Sequence, residues 1–252
     1  MTDSPIMKDA EPFFFPGNDI GILVCHGFTG STQSMRPLGK HLNAAGYTVI
    51  GPRLKGHGTN VADMASTTVT DWIDSVDEAL ATLRKSCSQI FMIGLSMGGT
   101  LTLYTAAKHA DTIRGAIAIN APVQISSPDL ASLALDRSAP ALIPGVGSDI
   151  KDPNVKELAY EQVPVPALKQ IYALTAVTRD LLPRIKCPTL VMHSREDHIA
   201  HPSNANIIVQ GLGSCRVELT WLENSFHVAT IDFDKDVICE KATAFFKSIA
   251  GR

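Results

Sequence analysis

Residues 89–110 read QIFMIGLSMGGTLTLYTAAKHA, and their order decides the fold. Gln89–Gly94 is a run of apolar, β-favouring residues without polar alternation, the pattern of a strand buried on both faces. Gly99–Ala110 is built on small residues and reads as a helix. Between them, Gly94-Leu95-Ser96-Met97-Gly98 fits G-x-S-x-G, a turn that carries an exposed serine from a strand into a helix. Such a turn needs small neighbours where strand and helix approach each other. Gly94 and Gly98, lacking a Cβ, meet that need.

Working outward, further short apolar runs repeat the first. Ile20–Cys25, Thr48–Gly51, Gly115–Asn120, Thr189–His193 and Val217–Leu222 each predict a strand. Amphipathic helices are expected at Asp71–Cys87, with Thr70 or Asp71 as N-cap, and at Lys235–Ala250. Strands alternating with helices imply a mostly parallel central sheet with right-handed crossovers and helices on its flanks.

One segment breaks the rhythm. Residues 121–186 show helical patches but no convincing strand, and hold eight of the fifteen prolines. Leucines and isoleucines, among them Leu142, Ile143, Leu168 and Ile171, make it too apolar for a disordered loop. The expectation is a small helical cap, residues 121–186, inserted into a discontinuous core of residues 1–120 and 187–252.

Composition narrows the function. The 252 residues are 45% hydrophobic and 19% charged, with a net charge of −3, so there is no basic footprint for nucleic acid. No apolar run reaches the ~18 residues of a transmembrane segment. The stretch Met1–Pro16 is acidic and lacks a basic leader, which predicts a cytoplasmic chain. Five cysteines without a CxxC pair predict buried thiols in a reducing compartment. His193, His198 and His201 cluster beside Asp197, but Asp197 has another candidate role, so no metal site is expected. No other cofactor motif appears either: Gly94–Gly99 departs from G-x-G-x-x-G at its third position.

A serine hydroxyl becomes a useful nucleophile only when a base takes its proton. On a sheet of this kind the partners follow in the order Ser, then Asp or Glu, then His. Of eight histidines, His227 lies after the last strand, in a loop at the edge where Ser96 sits. The acid belongs in the loop after Thr189–His193, where Glu196 and Asp197 are both candidates. A tetrahedral intermediate also needs two donors aimed at its oxygen. The backbone N–H of Met97 supplies one, and that of Phe28, in His26-Gly27-Phe28, is the candidate for the other.

Taken together, these segments resemble the α/β-hydrolase family of bacterial carboxylesterases and monoacylglycerol lipases. HGFTGS (26–31), PRLKGHG (52–58), GLSMGGTLTLY (94–104), SREDHIAHP (194–202) and NSFHVATID (224–232) carry the resemblance, and GSDIKDPNVKELAYE (147–161) ties it to the monoacylglycerol lipase branch. The resemblance implies an α/β-hydrolase fold with a cap after the sixth strand. It implies a triad of Ser96, Asp197 and His227, with Asp197 preferred to Glu196. It implies that Glu157 reads glycerol hydroxyls, assisted by Asn120. Leu142, Ile143 and Val146, in ALIPGVGS, are expected to line the acyl entrance.

The resulting expectation is an ester hydrolase acting on monoacylglycerols, its partner a small ester substrate, with transient lipid-surface contact through the cap. A short- or medium-chain carboxylesterase, thioesterase or lactonase would use the same machinery, and a small-molecule receptor could share the fold. The oligomeric state stays open.

Overall fold

The computed structural model describes residues 4–145 and 147–251, so Val146 lies outside the described residues. The chain runs β1 (Phe13–Phe15), β2 (Ile20–Cys25), α1 (Arg36–Ala44), β3 (Thr48–Gly51), α2 (Val61–Ala65), α3 (Val69–Leu83), β4 (Gln89–Leu95), α4 (Met97–Lys108) and β5 (Ile113–Ile119). It continues through α5 (Pro128–Leu135), β6 (Leu142–Pro144), β7 (Gln162–Pro164), α6 (Val165–Leu181), β8 (Thr189–Ser194), α7 (Ser203–Gly211), β9 (Val217–Leu222) and α8 (Lys235–Ala250).

Seven strands form one sheet in the order β1-β3-β2-β4-β5-β8-β9. All neighbours are parallel except β1, which pairs antiparallel with β3. The expected strands are present, with ends shifted by up to two residues. β2, β8 and nearly all of β4 and β5 are buried, as their unbroken apolar runs require. Alternation still sorts their side chains between two faces. Ile22, Val24, Phe91 and Ile93 pack with Leu38 and Leu42 of α1 and Phe245 and Phe246 of α8. Leu23, Cys25, Ile90 and Met92 pack on the other face with Trp72, Val76 and Leu80 of α3.

Several expectations need correction. The edge strand β1 escaped prediction because three phenylalanines between prolines are too short to show a period. Helix α3 starts earlier, at N-cap Thr68, whose backbone N–H donates to Asp71 at 2.8 Å in a capping box. It ends at Leu83 rather than Cys87. The segment between β5 and β8 does contain strands. β6 and β7 form a separate antiparallel pair. Counted along the chain, five strands, β1 to β5, precede the segment, so it follows the fifth and not the sixth. Its last helix, α6, buries Ala167, Ile171 and Leu174 in the same apolar cluster as α3 and α4. Only Cys25 is a fully buried thiol; Cys215 is exposed.

No described helix is long and apolar enough to cross a membrane.

Candidate active site

Parallel strands all point the same way, so the loops after β2, β4, β5, β8 and β9 meet along one edge of the sheet. Each brings one part of the site there.

Ser96 joins β4 directly to α4, with φ 55° and ψ −124°, a conformation that a residue with a side chain seldom adopts. Two features hold it. Ser96 N–H donates to the Ile119 carbonyl at 2.8 Å, and Thr100 N–H returns to the Ser96 carbonyl at 3.0 Å. The strand and helix also touch backbone to backbone. A Cβ on Gly94 would overlap the Gly98 carbonyl, and one on Gly98 would overlap the Cys25 carbonyl. The two glycines of the motif are therefore steric requirements of the turn.

His227 lies in the loop after β9, nearly buried. Its Nε2 is 2.8 Å from Ser96 Oγ. Its Nδ1 lies 2.9 and 3.0 Å from the two carboxylate oxygens of Asp197, in the loop after β8. The structure thus separates the two acid candidates: Asp197 is buried beneath the imidazole, whereas Glu196 is exposed and pairs with Lys151 at 3.1 Å. Asp197 Oδ1 also accepts the N–H groups of Ile199 and Ala200, at 2.9 and 2.8 Å. A carboxylate held this way orients the ring and selects the tautomer that leaves Nε2 free to take the serine proton.

The charges agree with that task. Burial pushes the Asp197 carboxyl up, but the charge and hydrogen bond of His227, with His193 and the Ile199 N–H, outweigh it and hold it below the usual range. For His227 burial pushes down, yet Asp197, Glu157 and Asp149 together raise it above an ordinary imidazole. His193 lies behind Asp197, its Nε2 2.9 Å from the Ala200 carbonyl and 3.5 Å from Asp197 Oδ2.

Met97 is the first residue of α4, so its N–H has no partner within the helix. The loop after β2 passes close by: a Cβ on Gly27 would come 3.2 Å from Ser96 Cβ. His26 stabilises this loop from behind, its Nδ1 2.9 Å from the Gly27 carbonyl while Nε2 accepts the Leu54 N–H at 3.1 Å. Burial lowers its pKa to about 4, so the ring is neutral. His57, next to it, is pushed down to about 3 by burial and by His26. Phe28 and Met97 both line the cavity that contains Ser96 and His227.

That cavity is about 180 Å³ and mainly apolar, with Ile125, Leu130, Ile143, Val163, Leu168 and Ile171 in its walls. Glu157 lines it too, its pKa raised by burial against the opposing pull of His227 and the Ser34 hydroxyl. The Glu157 backbone is held by Ser148 Oγ at 3.0 Å, and the adjacent Leu158 N–H by Gln33 at 3.1 Å.

Two expected substrate contacts are placed elsewhere. Leu142 is 38% exposed, because alternation along β6 turns Ile143 inward and Leu142 outward. Asn120 is fully buried and does not line the cavity. Its φ is 46°, its Oδ1 accepts the Ser194 N–H at 2.7 Å, and its Nδ2 donates to the His227 carbonyl at 2.7 Å. It ties the loop after β5 to the two that carry Asp197 and His227. Val146 falls outside the described residues.

Sequence reasoning also missed Asp149. This carboxylate lines the cavity and accepts the backbone N–H of His227 at 3.1 Å. The available signal was its place within residues 147–161, the stretch most specific to the resemblance. Among the described residues no group of three or more His, Cys, Asp or Glu is arranged to hold a metal ion. His198 instead pairs with Asp149, and His201 with Ser203.

Comparison with known proteins adds relatives to this geometry. The model of the Hydrolase_4 family, serine aminopeptidase S33, matches residues 18–234. A thermostable monoacylglycerol lipase of Bacillus sp. (strain H-257) is 48% identical over 247 residues, 98% of each chain. A carboxylesterase of Bacillus subtilis (strain 168) is 30% identical over 95% of this chain and 97% of its own. A solved structure from the metagenome-derived lipolytic enzymes LipS and LipT superposes with a TM-score of 0.95 at 50% identity, covering 97% of this chain and 100% of the other. A monoacylglycerol lipase of Paleococcus ferrophilus, 15% identical, shares the fold with a TM-score of 0.80 over 94% of this chain and 98% of its own.

Proposed function

The chain belongs to the Hydrolase_4 family, and from that premise we propose that it hydrolyses carboxylic esters, monoacylglycerols foremost, through an acyl-enzyme on Ser96. The observation that carries this reading is the unbroken chain from Ser96 Oγ through His227 to Asp197, at the wall of an apolar cavity. His227 takes the proton as Ser96 attacks the ester carbonyl. The N–H groups of Met97 and Phe28 receive the developing oxyanion. The protonated His227 gives its proton to the leaving glycerol, and water then repeats the sequence on the acyl-enzyme. Asp197 stabilises the imidazolium without itself taking a proton.

The cavity supports an acyl chain as the bound portion, since its walls are aliphatic. Glu157, at the same cavity, is the group we assign to the glycerol hydroxyls. Residues 121–186 act as the cap, with α6 shared between cap and core. Exposed Leu142 of the cap and exposed Ile199 of the loop after β8 offer apolar contacts for a transient approach to a lipid surface. Five free thiols suit a reducing compartment, and we place the protein in the cytoplasm.

The test is a substrate panel on purified protein: monoacylglycerols of increasing chain length, simple nitrophenyl esters from acetyl upward, and aminoacyl anilides, with Ser96→Ala as control. Monoacylglycerols should give the highest kcat/KM, and the Ser96→Ala variant should be inert. A preference for short alkyl esters would replace this reading with a carboxylesterase, and a preference for the anilides would replace it with an aminopeptidase.

A further inference from the structure

The carboxylate of Asp149 reaches both loops that carry the acid and base of the triad. Asp149 stands in the segment that leads from β6 towards β7. Its Oδ2 accepts the backbone N–H of His227 at 3.1 Å and that of His198 at 3.3 Å. Its Oδ1 accepts from His198 Nδ1 at 2.8 Å, and its backbone carbonyl accepts the Val228 N–H at 3.0 Å. The Asp149 side chain is only 14% exposed. Two successive N–H groups of the base loop therefore end on one residue from the far side of the cavity.

A second carboxylate reinforces the joint. Buried Asp232 accepts the N–H groups of Lys151 at 2.8 Å and Asp152 at 3.0 Å, and that of Phe226 at 2.9 Å. Residues 149–152 are thereby fixed to the base loop on both sides of His227. Asp149 also lines the cavity, so the wall that a substrate touches and the backbone of the general base meet at a single side chain.

We propose that Asp149 is a positioning residue for hydrolysis, clamping the loop of His227 to the loop of Asp197 and coupling both to the cavity wall. This rests on the ester-hydrolase reading above. Three donors converge there, and the two oxygens of the carboxylate accept all of them. Its negative charge has a separate consequence. The groups facing the His227 ring are the carboxylates of Asp197, Glu157 and Asp149, the buried ring of His193 and the Ser96 hydroxyl. Loss of the Asp149 charge alone removes one of the three carboxylates that favour the imidazolium.

The experiment measures kcat, KM and the pH profile of kcat/KM on a short nitrophenyl ester for the parent, Asp149→Ala and Asp149→Asn. A fluorophosphonate label on Ser96 counts correctly folded sites. Misplacement of a base by a fraction of an ångström to about 1 Å costs on the order of 10- to 100-fold. Asp149→Ala should lose that much kcat per labelled site with KM little changed. Asp149→Asn keeps one acceptor oxygen and should recover most of kcat. In both, the acid limb of the profile should move to lower pH, since His227 loses a proton more readily. A merely structural role would lower the labelled fraction without moving the limb. An Asp149→Ala variant with parental kcat, or an unmoved limb in Asp149→Asn, overturns the proposal. If Asp149→Ala does not fold, the limb of Asp149→Asn decides alone. A parent that fails to turn over esters overturns the functional reading and this inference with it. Indifferent variants of an active parent overturn this inference only.

Discussion

The loops at the C-terminal edge of the sheet and the segment between β5 and β8 meet at one cavity but are built differently. At the edge, Asn120, Ser194, Asp197 and His227 are all buried, and side-chain hydrogen bonds tie the loops to one another. In the segment, α5 has no fully buried residue among those described, and β6 pairs only with β7. Proton transfer tolerates little displacement, so its groups stand in buried loops that are bonded to one another at the ends of the strands. Acyl-chain selection needs only apolar surface at roughly the right place. The lightly packed part of the segment, α5 and β6, can provide that and still move as substrate enters.

Changes at the edge, and at Asp149 where the segment is joined to it, should therefore cost catalysis, and changes at the cavity-facing residues of β6 should cost selectivity. Removing the nucleophile tests this most severely. Ser96→Ala should lower kcat by about 10,000-fold or more in a steady-state ester assay. Asp197→Asn should cost roughly 1,000- to 10,000-fold, because the imidazole loses the partner that sets its tautomer. It also tests the sign of the pH dependence. His227 acts only when neutral, and its pKa is raised, so kcat/KM should fall as pH drops through a value above the ordinary ~6.5. Without Asp197 that limb should move to lower pH. A limb that stayed in place would mean that another group governs it.

Effects in the segment should be smaller and depend on substrate. Ile143→Ala removes a cavity wall and should lower kcat/KM for long-chain monoacylglycerols by roughly 10-fold, about 1–3 kcal/mol at most, while acetyl esters are turned over almost as before. Leu142→Ala, one residue away but turned outward, should change neither rate measurably in detergent-free assays of soluble esters. If the two variants behaved alike, β6 would not be sorting its side chains between cavity and solvent. Glu157→Gln should raise KM for monoacylglycerols several-fold yet leave nitrophenyl acetate almost unaffected.

Legibility followed the same division. The β4–Ser96–α4 turn could be read because its signal is local: a buried strand, small residues and a helix in 22 positions. His227 could be found from its order after the last strand. Glu196 and Asp197 could not be told apart by position, since both lie in one loop; the structure turns one into the core and the other towards Lys151. In the segment the apolar content was visible, but not its direction. Leu142 and Ile143 look equivalent until the strand pairing assigns them to opposite faces. Helix α6 likewise appeared to belong with the cap, because amphipathicity shows that a face is buried without showing against what.

The sequence by itself determined the parallel α/β sheet, the serine turn and the histidine that serves it, because these depend on local periodicity and on where loops fall along the chain. The tertiary structure alone decided which acid faces the histidine, that Asn120 and Asp149 join loops rather than float beside them, and which leucines and isoleucines see the cavity. Those outcomes depend on contacts between segments some 30 to 107 residues apart, and no local pattern encodes which way a side chain turns when such segments meet.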